Sequence, residues 1–472
     1  MQHPTIIQGG MGIGVSGWEL ARAVSTRGQL GVLSGAGAHV VMSRILQLGD
    51  EGGHYRHALE QFPDQAMVGR ILTKYFVDGS IASTASFQSV PQFTVDSCRE
   101  IIELTIAANF SQVWLAKNDH AGVVGVNFLE KMQLPMLYAL YGALLAGVDY
   151  ILIGAGVPNQ IPEILEKLVR HQAVEYQVYI PGDAADVEKV SVHFNPVDFF
   201  PGKQQHLAIP QFFPIVASAS LAQALMRSGR IDGFVIEGPT AGGHNAPPRG
   251  KLQLSATGEP VYGEKDAVDF DRLRKLERPF WLAGGYASPE GLRAALVSGA
   301  AGIQAGTLFA LCEESLLADD LKWELRRAGF RGEQRIFTDP QGSPTGFPFK
   351  VAQVGGTLSD PVVYEDRERA CDLQGLQQLY RRCDGAVRYR CPAEPVATFT
   401  AKGGVESETV GRKCLCNALL ANIGLAQRRD GGHVEPPLVT LGDDLRFLRA
   451  LMADEVSTYT AEDALKYLLS QR

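Results

Sequence analysis

Eight short apolar runs, each rich in β-branched or aromatic residues and most closing on glycine or serine, recur along the first 310 residues with helical patterns between them. They are Thr5–Gly9, Leu30–Ser34, Val123–Phe128, Tyr150–Gly154, Pro214–Ser218, Gly233–Gly238, Phe280–Gly285 and Gly302–Thr307. Strands of a parallel sheet are buried on both faces and read as continuous apolar runs rather than alternating ones. Their alternation with helical segments marks repeated βα units. Eight is the number that closes such units on themselves, so the expected fold is α/β: a (β/α)8 TIM barrel with insertions, favoured over an open sheet.

The helices between the runs carry their own signals. Ser288 followed by Pro289 supplies an N-cap and a proline at the first helical position for a helix through Val297. Trp18–Val24 and Leu221–Met226 space their apolar residues three and four apart. A barrel needs roughly 250 residues, and this chain has 472. We therefore expect a barrel over residues 1–330, with insertions at about 36–122 and 157–213, and a mostly helical, cysteine-containing extension over 331–472. Arg70–Phe76 suggests an extra strand within the first insertion, and Ser97–Ala108 a helix. In the extension, Asp443–Met452 and Ala461–Leu469 have helical spacing. Both insertions are expected near the barrel mouth.

Charge narrows the partners. Lys plus Arg is 44 and Asp plus Glu is 52, a net charge of -8. A nucleic-acid binder usually presents a basic face, so nucleic acid is not an expected partner. No apolar run approaches the ~20 residues of a spanning helix, and the N-terminus lacks a basic segment followed by a long apolar one. The expectation is a cytoplasmic protein with no membrane partner, working on a small molecule.

In a barrel of this kind chemistry sits at the C-terminal ends of the strands. Ala283-Gly284-Gly285 ends the seventh run and Ala305-Gly306-Thr307 the eighth. Glycines there let backbone N–H groups approach a phosphate, and Thr307 adds a hydroxyl donor. One glycine pair alone would more simply be a turn; two at these strands form the usual barrel phosphate site. The sixth run leads into Glu237-Gly238-Pro239-Thr240-Ala241-Gly242-Gly243-His244. Its glycines clear space for a flat ring and present one imidazole, His244, at the mouth. Histidine suits proton transfer near neutral pH, although a lone histidine more often bonds a nearby carbonyl. The loop Gln8-Gly9-Gly10-Met11-Gly12-Ile13-Gly14 resembles a dinucleotide fingerprint superficially, but the strand–turn–helix context with a later acidic ribose ligand is not convincing. Alone the loop is a weak signal, and packing of Met11 and small residues such as Gly10 on a flavin ring is the alternative reading.

Taken in order, Ile6–Met11, Gly125-Val126-Asn127, Glu237–His244, Ala283–Gly285 and Gln304–Thr307 resemble the nitronate monooxygenase (2-nitropropane dioxygenase) family and its relatives, the FMN-dependent enoyl-thioester reductases. The resemblance covers roughly residues 4–312. It implies an FMN cofactor across the barrel mouth. The phosphate would meet Gly284, Gly285, Gly306 and Thr307. The ring would meet Gly10, Met11, Asn127 and the backbone of Ala241, Gly242 and Gly243. His244 would be the catalytic base. Lys131 and Gln133 either reach the flavin too or, for Lys131, form a solvated helix end. The activity implied is oxidation of alkyl nitronates or nitroalkanes by O2 to a carbonyl and nitrite. The alternative implied is an NAD(P)H-dependent enoyl reductase acting on an acyl-carrier or CoA thioester. A homodimer is a further partner the reading allows. The segment after His244, Asn245-Ala246-Pro247-Pro248-Arg249-Gly250, departs from the simpler family members and reshapes the substrate entrance.

Other readings stand beside these. A flavin-free barrel that binds only a phosphorylated ligand would also use the glycine pairs. A purine-nucleotide dehydrogenase-type barrel needs a cysteine on a mouth loop, whereas Cys98 and Cys312 fall in helical segments. Five of the seven cysteines lie in the extension: Cys371, Cys383, Cys391, Cys414 and Cys416. Cys414-Leu415-Cys416 could share a metal with Cys371 or Cys391. With no Cys-x2-Cys pair or matching histidine, the sequence favours unligated buried thiols and no metal.

Overall fold

A computed structural model describes residues 3–181, 189–202 and 206–470. Parts of the second insertion, 182–188 and 203–205, lie outside the described residues. The eight expected runs all form strands of one closed, parallel barrel. In chain order they are β1 (Ile6–Gln8), β2 (Leu30–Ser34), β3 (Val124–Leu129), β4 (Tyr150–Gly154), β5 (Gln211–Val216), β6 (Phe234–Glu237), β7 (Phe280–Ala283) and β8 (Gly302–Ala305). Neighbours in sequence are neighbours in the sheet, and β8 closes onto β1 with Ile6 opposite Ile303.

The interior of the barrel is filled by Ile7, Val32, Leu152, Phe213, Val235 and Trp281, all buried. Phe213 and Trp281 stack with ring centroids 4.9 Å apart. The indole N–H, which would otherwise be buried without a partner, donates to the Pro4 carbonyl at 2.9 Å. Outside the barrel, helix Trp18–Ser25 lies so close to β2 that a Cβ on Gly31 would stand 2.0 Å from the Ala21 carbonyl oxygen. Only glycine fits there. Helix Pro289–Val297 begins as its sequence signals, with the Ser288 hydroxyl accepting from the Gly291 N–H.

The first insertion is helical throughout its ordered elements, and Arg70–Phe76 is not an added strand. Residues Gln65–Tyr75 form a helix capped by Asp64, whose carboxylate accepts from the Met67 N–H at 2.9 Å. Met67, Val68, Ile71 and Tyr75 bury one helical face, a spacing that outweighs the β-prone composition of the segment. Helix Arg99–Lys117, longer than its expected span, follows and returns the chain to β3. The second insertion contributes an antiparallel hairpin, Val174–Gln177 with Ser191–Phe194.

The extension is less helical than its sequence suggests. Its helices are short: Pro361–Asp366, Val396–Ala401, Leu415–Ala421, Leu448–Leu451 and Ala461–Leu468. Three hairpins join them, Ile336–Asp339 with Phe349–Ala352, Gln378–Arg381 with Val387–Arg390, and Arg428–Arg429 with His433–Val434. Asp443–Met452 keeps only one turn as helix, because Gly442 and the Asp444–Arg446 contact hold its start in a loop. Apart from a small buried cluster of Cys391, Ala393 and Cys414, the apolar residues described in the extension share the core of the barrel's surroundings. Leu415, Leu420, Leu438, Leu448 and Leu465 join the same apolar cluster as the helices around the barrel. A buried ion pair, Arg367 with Glu435 at 2.7 Å, ties two of its loops together. Among the described residues no helix is long and apolar enough to cross a membrane.

Candidate active site

A cavity of about 400 Å³ opens at the C-terminal ends of the strands. That volume lies in the range of small-molecule sites. Gly10 and Met11 (after β1), Asn127 (in β3), Ala241, Gly242, Gly243 and His244 (after β6), Gly284 and Gly285 (after β7), and Gly306 and Thr307 (after β8) all line it. The structure therefore brings the expected site residues, Lys131 and Gln133 apart, to a single space.

The glycine pair after β7 is conformationally required. Gly284 and Gly285 have φ of 88° and 78°, in the left-handed region that side chains rarely adopt. A Cβ on Gly284 would also stand 3.0 Å from the Ala241 nitrogen and 3.1 Å from the Gly238 oxygen. The β7 turn and the β6 loop thus approach backbone to backbone at the mouth.

Lys131 is one exception. It does not line the cavity; its ammonium lies over the Phe347 ring, 5.1 Å from the centroid. Gln133 is likewise taken up, accepting the Tyr179 N–H at 3.0 Å. Half-buried Lys131 meets an aromatic ring from the extension that itself lines the cavity, and its charge still acts on His244.

His244 is held by that same extension. Its Nε2 lies 2.7 Å from Ser343 Oγ, and its ring meets Phe349 edge-on with centroids 4.9 Å apart. Phe347 adds a second edge contact. Removal from water is the main cause, with the nearby Lys131 charge second, that lowers the imidazole pKa from 6.5 to about 4. The side chain is partly open, but what it faces is the cavity. It is a neutral base at neutral pH.

Sequence reasoning passed over several groups. Glu237, the last residue of β6, lines the cavity, and burial raises its carboxyl pKa from 4.5 to about 8. It is a neutral carboxylic acid at neutral pH. Phe347, Phe349, Thr440, Gly442 and Cys416 reach the cavity from the extension. Thr440 Oγ1 takes the Gly243 N–H at 2.7 Å, and Thr307 Oγ1 accepts the Gly442 N–H at 2.8 Å. So two expected amide donors are already engaged, since the Ala241 N–H also donates to the Gly238 carbonyl at 3.2 Å, while the Thr307 hydroxyl keeps its own proton to donate. Glu237 stood within a motif already singled out, and its place at a strand end was the available signal. The extension residues had none, since their partners lie about 100 to 200 positions away.

Two amide oxygens on the cavity wall, Asn127 Oδ1 and Gln304 Oε1, are buried with no protein partner. Such groups are costly unless something supplies a donor. Together with the left-handed glycines after β7, they fit a planar, hydrogen-bonding ring that carries a phosphate.

A family model described as Nitronate monooxygenase matches residues 156–340, which span β5 to β8 and their mouth loops. The chain resembles the nitronate monooxygenase family. Among curated proteins, it is 33% identical over 118 residues to a (3aS,4S,5R,7aS)-5-hydroxy-7a-methyl-1-oxo-octahydro-1H-indene-4-carboxyl-CoA dehydrogenase of Rhodococcus jostii. The match covers 25% of this chain and 29% of that protein. A protein of the same description from Mycobacterium tuberculosis is 31% identical over 119 residues, 25% of this chain and 30% of that protein. The matched stretch therefore spans less than a third of these relatives' length. Among solved structures, FabK from Thermotoga maritima is similar at 17% identity and a TM-score of 0.49, covering 99% of this chain and 92% of its own. A nitroalkane oxidase from Streptomyces ansochromogenes is similar at 15% identity and a TM-score of 0.45, with 98% and 94% covered.

Proposed function

We propose that this nitronate monooxygenase-like chain is an FMN-dependent oxidoreductase that oxidises alkyl nitronates or nitroalkanes with O2 to a carbonyl compound and nitrite. The observation that carries the reading is His244: a neutral imidazole, oriented by Ser343, on the wall of a cavity whose rim is built for a phosphate and a flat ring.

FMN, when bound, supplies the electron acceptor for the substrate's oxidation. Gly284, Gly285, Gly306 and Thr307 would hold its phosphate. Gly10, Met11, Asn127, Ala241 and Gly242 would hold the ring, with Asn127 Oδ1 and Gln304 Oε1 finding the donors they lack. With Nε2–H donating to Ser343 Oγ, His244 keeps the Nδ1 lone pair for a substrate proton. A neutral nitroalkane carries an acidic C–H beside the nitro group. His244 removes that proton and leaves the nitronate anion, the form that gives up electrons. Phe347 and Phe349 exclude water from the imidazole, so the base stays unprotonated and ready.

A second reading has its own support. The curated relatives bear the name of a CoA-thioester dehydrogenase, and in a thioester the C–H beside the carbonyl is activated in the same way. On this reading the substrate is an acyl thioester and NAD(P)H is the redox partner. One experiment separates the two. The purified protein is given a primary nitronate under air, then NADPH with an enoyl thioester under argon. Oxygen uptake with nitrite release supports the first reading. Flavin bleaching by NADPH alone supports the second, and a colourless protein that takes up no FMN would refute both.

A further inference from the structure

The hydroxyl that meets the imidazole is the first of two in a row. His244 Nε2 lies 2.7 Å from Ser343 Oγ, and Ser343 Oγ lies 2.7 Å from Thr345 Oγ1. Two backbone amides complete the set. The Thr345 N–H donates to Ser343 Oγ at 3.2 Å, and the Phe347 N–H donates to Thr345 Oγ1 at 3.4 Å. Ser343 is fully buried, while Thr345 is half-buried and sits next to the exposed Gly346. Neither Ser343 nor Thr345 lines the cavity, whereas His244 does. The row therefore starts at an imidazole on the cavity wall and leads away from the cavity toward the protein surface.

A hydroxyl has one proton to donate and two lone pairs with which to accept. Each of these hydroxyls has one lone pair taken by a backbone N–H. Among the described residues no further hydrogen bond reaches either of them. Only two arrangements of the remaining protons then complete every link. In the outward one, Nε2–H donates to Ser343 Oγ, the Ser343 hydroxyl donates to Thr345 Oγ1, and the Thr345 proton is left for solvent. In the inward one, the Thr345 hydroxyl donates to Ser343 Oγ, the Ser343 hydroxyl donates to Nε2, and Thr345 Oγ1 keeps a lone pair for water. The two differ by the shift of one proton along each link.

The loop that carries the row is fixed from both sides. Arg412 donates to the Ser343 carbonyl at 2.5 Å and to the Gln341 carbonyl at 2.8 Å. Asp339, paired with Lys413 at 2.8 Å, accepts the N–H groups of Gln341 and Gly342, each at 2.9 Å. Toward the barrel, the Asn245 N–H donates to the Pro348 carbonyl and the Lys350 N–H to the Gly243 carbonyl, each at 2.9 Å. We propose that Ser343 and Thr345 form a proton relay between His244 and solvent, an inference that rests on reading His244 as the substrate's base. As Nδ1 takes the substrate's proton, the Nε2 proton passes to Ser343 Oγ, the Ser343 proton to Thr345 Oγ1, and the Thr345 proton to a water. The substrate's C–H bond breaks and its electron pair stays on the nitronate. One N–H bond forms and one breaks on the ring, and a hydronium ion leaves into solvent. The row passes from outward to inward, and the ring is neutral before and after. That neutrality matters because burial disfavours an imidazolium here. When a later species in the cavity takes the Nδ1 proton, the row runs in reverse and is reset. Ser343 and Thr345 are positioning residues that act through the imidazole.

The test begins with nitrogen NMR of the imidazole in the full-length protein, without flavin or substrate, a readout independent of the nitronate reading. Exchange of the Nε2 proton with solvent should slow by about tenfold or more in Thr345→Val, which keeps the shape and loses the hydroxyl, and recover in Thr345→Ser. Thr345→Ala serves if the valine variant fails to fold. Exchange as fast in the hydroxyl-free variant as in the wild type would overturn the relay. The second measurement is turnover of a neutral nitroalkane in mixtures of H2O and D2O. The wild type should depend on the deuterium fraction along a curve, since several protons move together, and Thr345→Val should be slower and follow a straight line. A straight line in the wild type would also overturn the relay. A protein that shows the exchange pattern but oxidises no nitroalkane would refute the nitronate reading while supporting the link from His244 to solvent.

Discussion

The imidazole of His244 is kept neutral by burial, and Phe347 is part of what buries it. Phe347→Ala should admit water beside the ring. The wild-type pKa of about 4 lies 2.5 below the ordinary 6.5. At 1.36 kcal/mol per unit, full rehydration would return about 3 kcal/mol to the charged form. One of two aromatic neighbours is removed, and Phe349 remains with its centroid 4.9 Å away. A partial recovery of about one unit, to near pH 5, is therefore expected. Departure of the ring also frees the Lys131 ammonium, which opposes protonation and keeps the rise from being larger. The assay is NMR titration of labelled imidazoles, with the signal assigned through His244→Asn. It needs no substrate, and only ten histidines are present. The stability consequence has a definite sign. Because the folded value is depressed, the unfolded chain takes up a proton first, so stability is lost as pH falls from 6.5 to about 4 and is unaffected above that window. A wild-type His244 titrating near 6.5, or an unmoved value in Phe347→Ala, would refute the reasoning.

Three further outcomes follow from the same geometry. Glu237→Gln should stabilise the protein by up to a few kcal/mol near pH 8, because the buried carboxyl resists ionisation that the unfolded chain undergoes from 4.5 upward; denaturant midpoints at pH 5 and pH 8 should show the gain only at the higher pH. Gly284→Ala places a side chain in a left-handed conformation and against the Ala241 nitrogen, so FMN affinity measured by fluorescence quenching should weaken by about tenfold. Arg367→Met leaves the Glu435 carboxylate buried and unpaired, with an expected loss of about 3–5 kcal/mol in chemical denaturation.

The barrel was legible because its strands are short, buried on both faces and locally punctuated. All eight runs could be located within three residues from composition and glycines alone. The rim of the site was legible for a related reason: glycines at strand ends have a backbone role that survives in one dimension. What could not be seen was the extension's part in the site. Ser343, Phe349 and Thr440 carry no motif, and their meaning comes from contacts made across the fold. Arg70–Phe76 misled for a different reason. Its β-branched and aromatic residues suggest a strand, but the burial of Met67, Val68, Ile71 and Tyr75 on one face decides for a helix. Likewise Cys391 and Cys414 look scattered in sequence, and only the fold packs them into one buried cluster.

The role of His244 beside a bound flavin is tested most directly by anaerobic mixing of the FMN-loaded protein with a nitroalkane, followed by flavin absorbance. Wild-type protein should bleach with the neutral nitroalkane. His244→Asn should bind FMN equally well, bleach about 10²–10⁴ times more slowly with the neutral form, and respond normally to a preformed nitronate. Equal bleaching by the neutral form in both proteins would contradict the account.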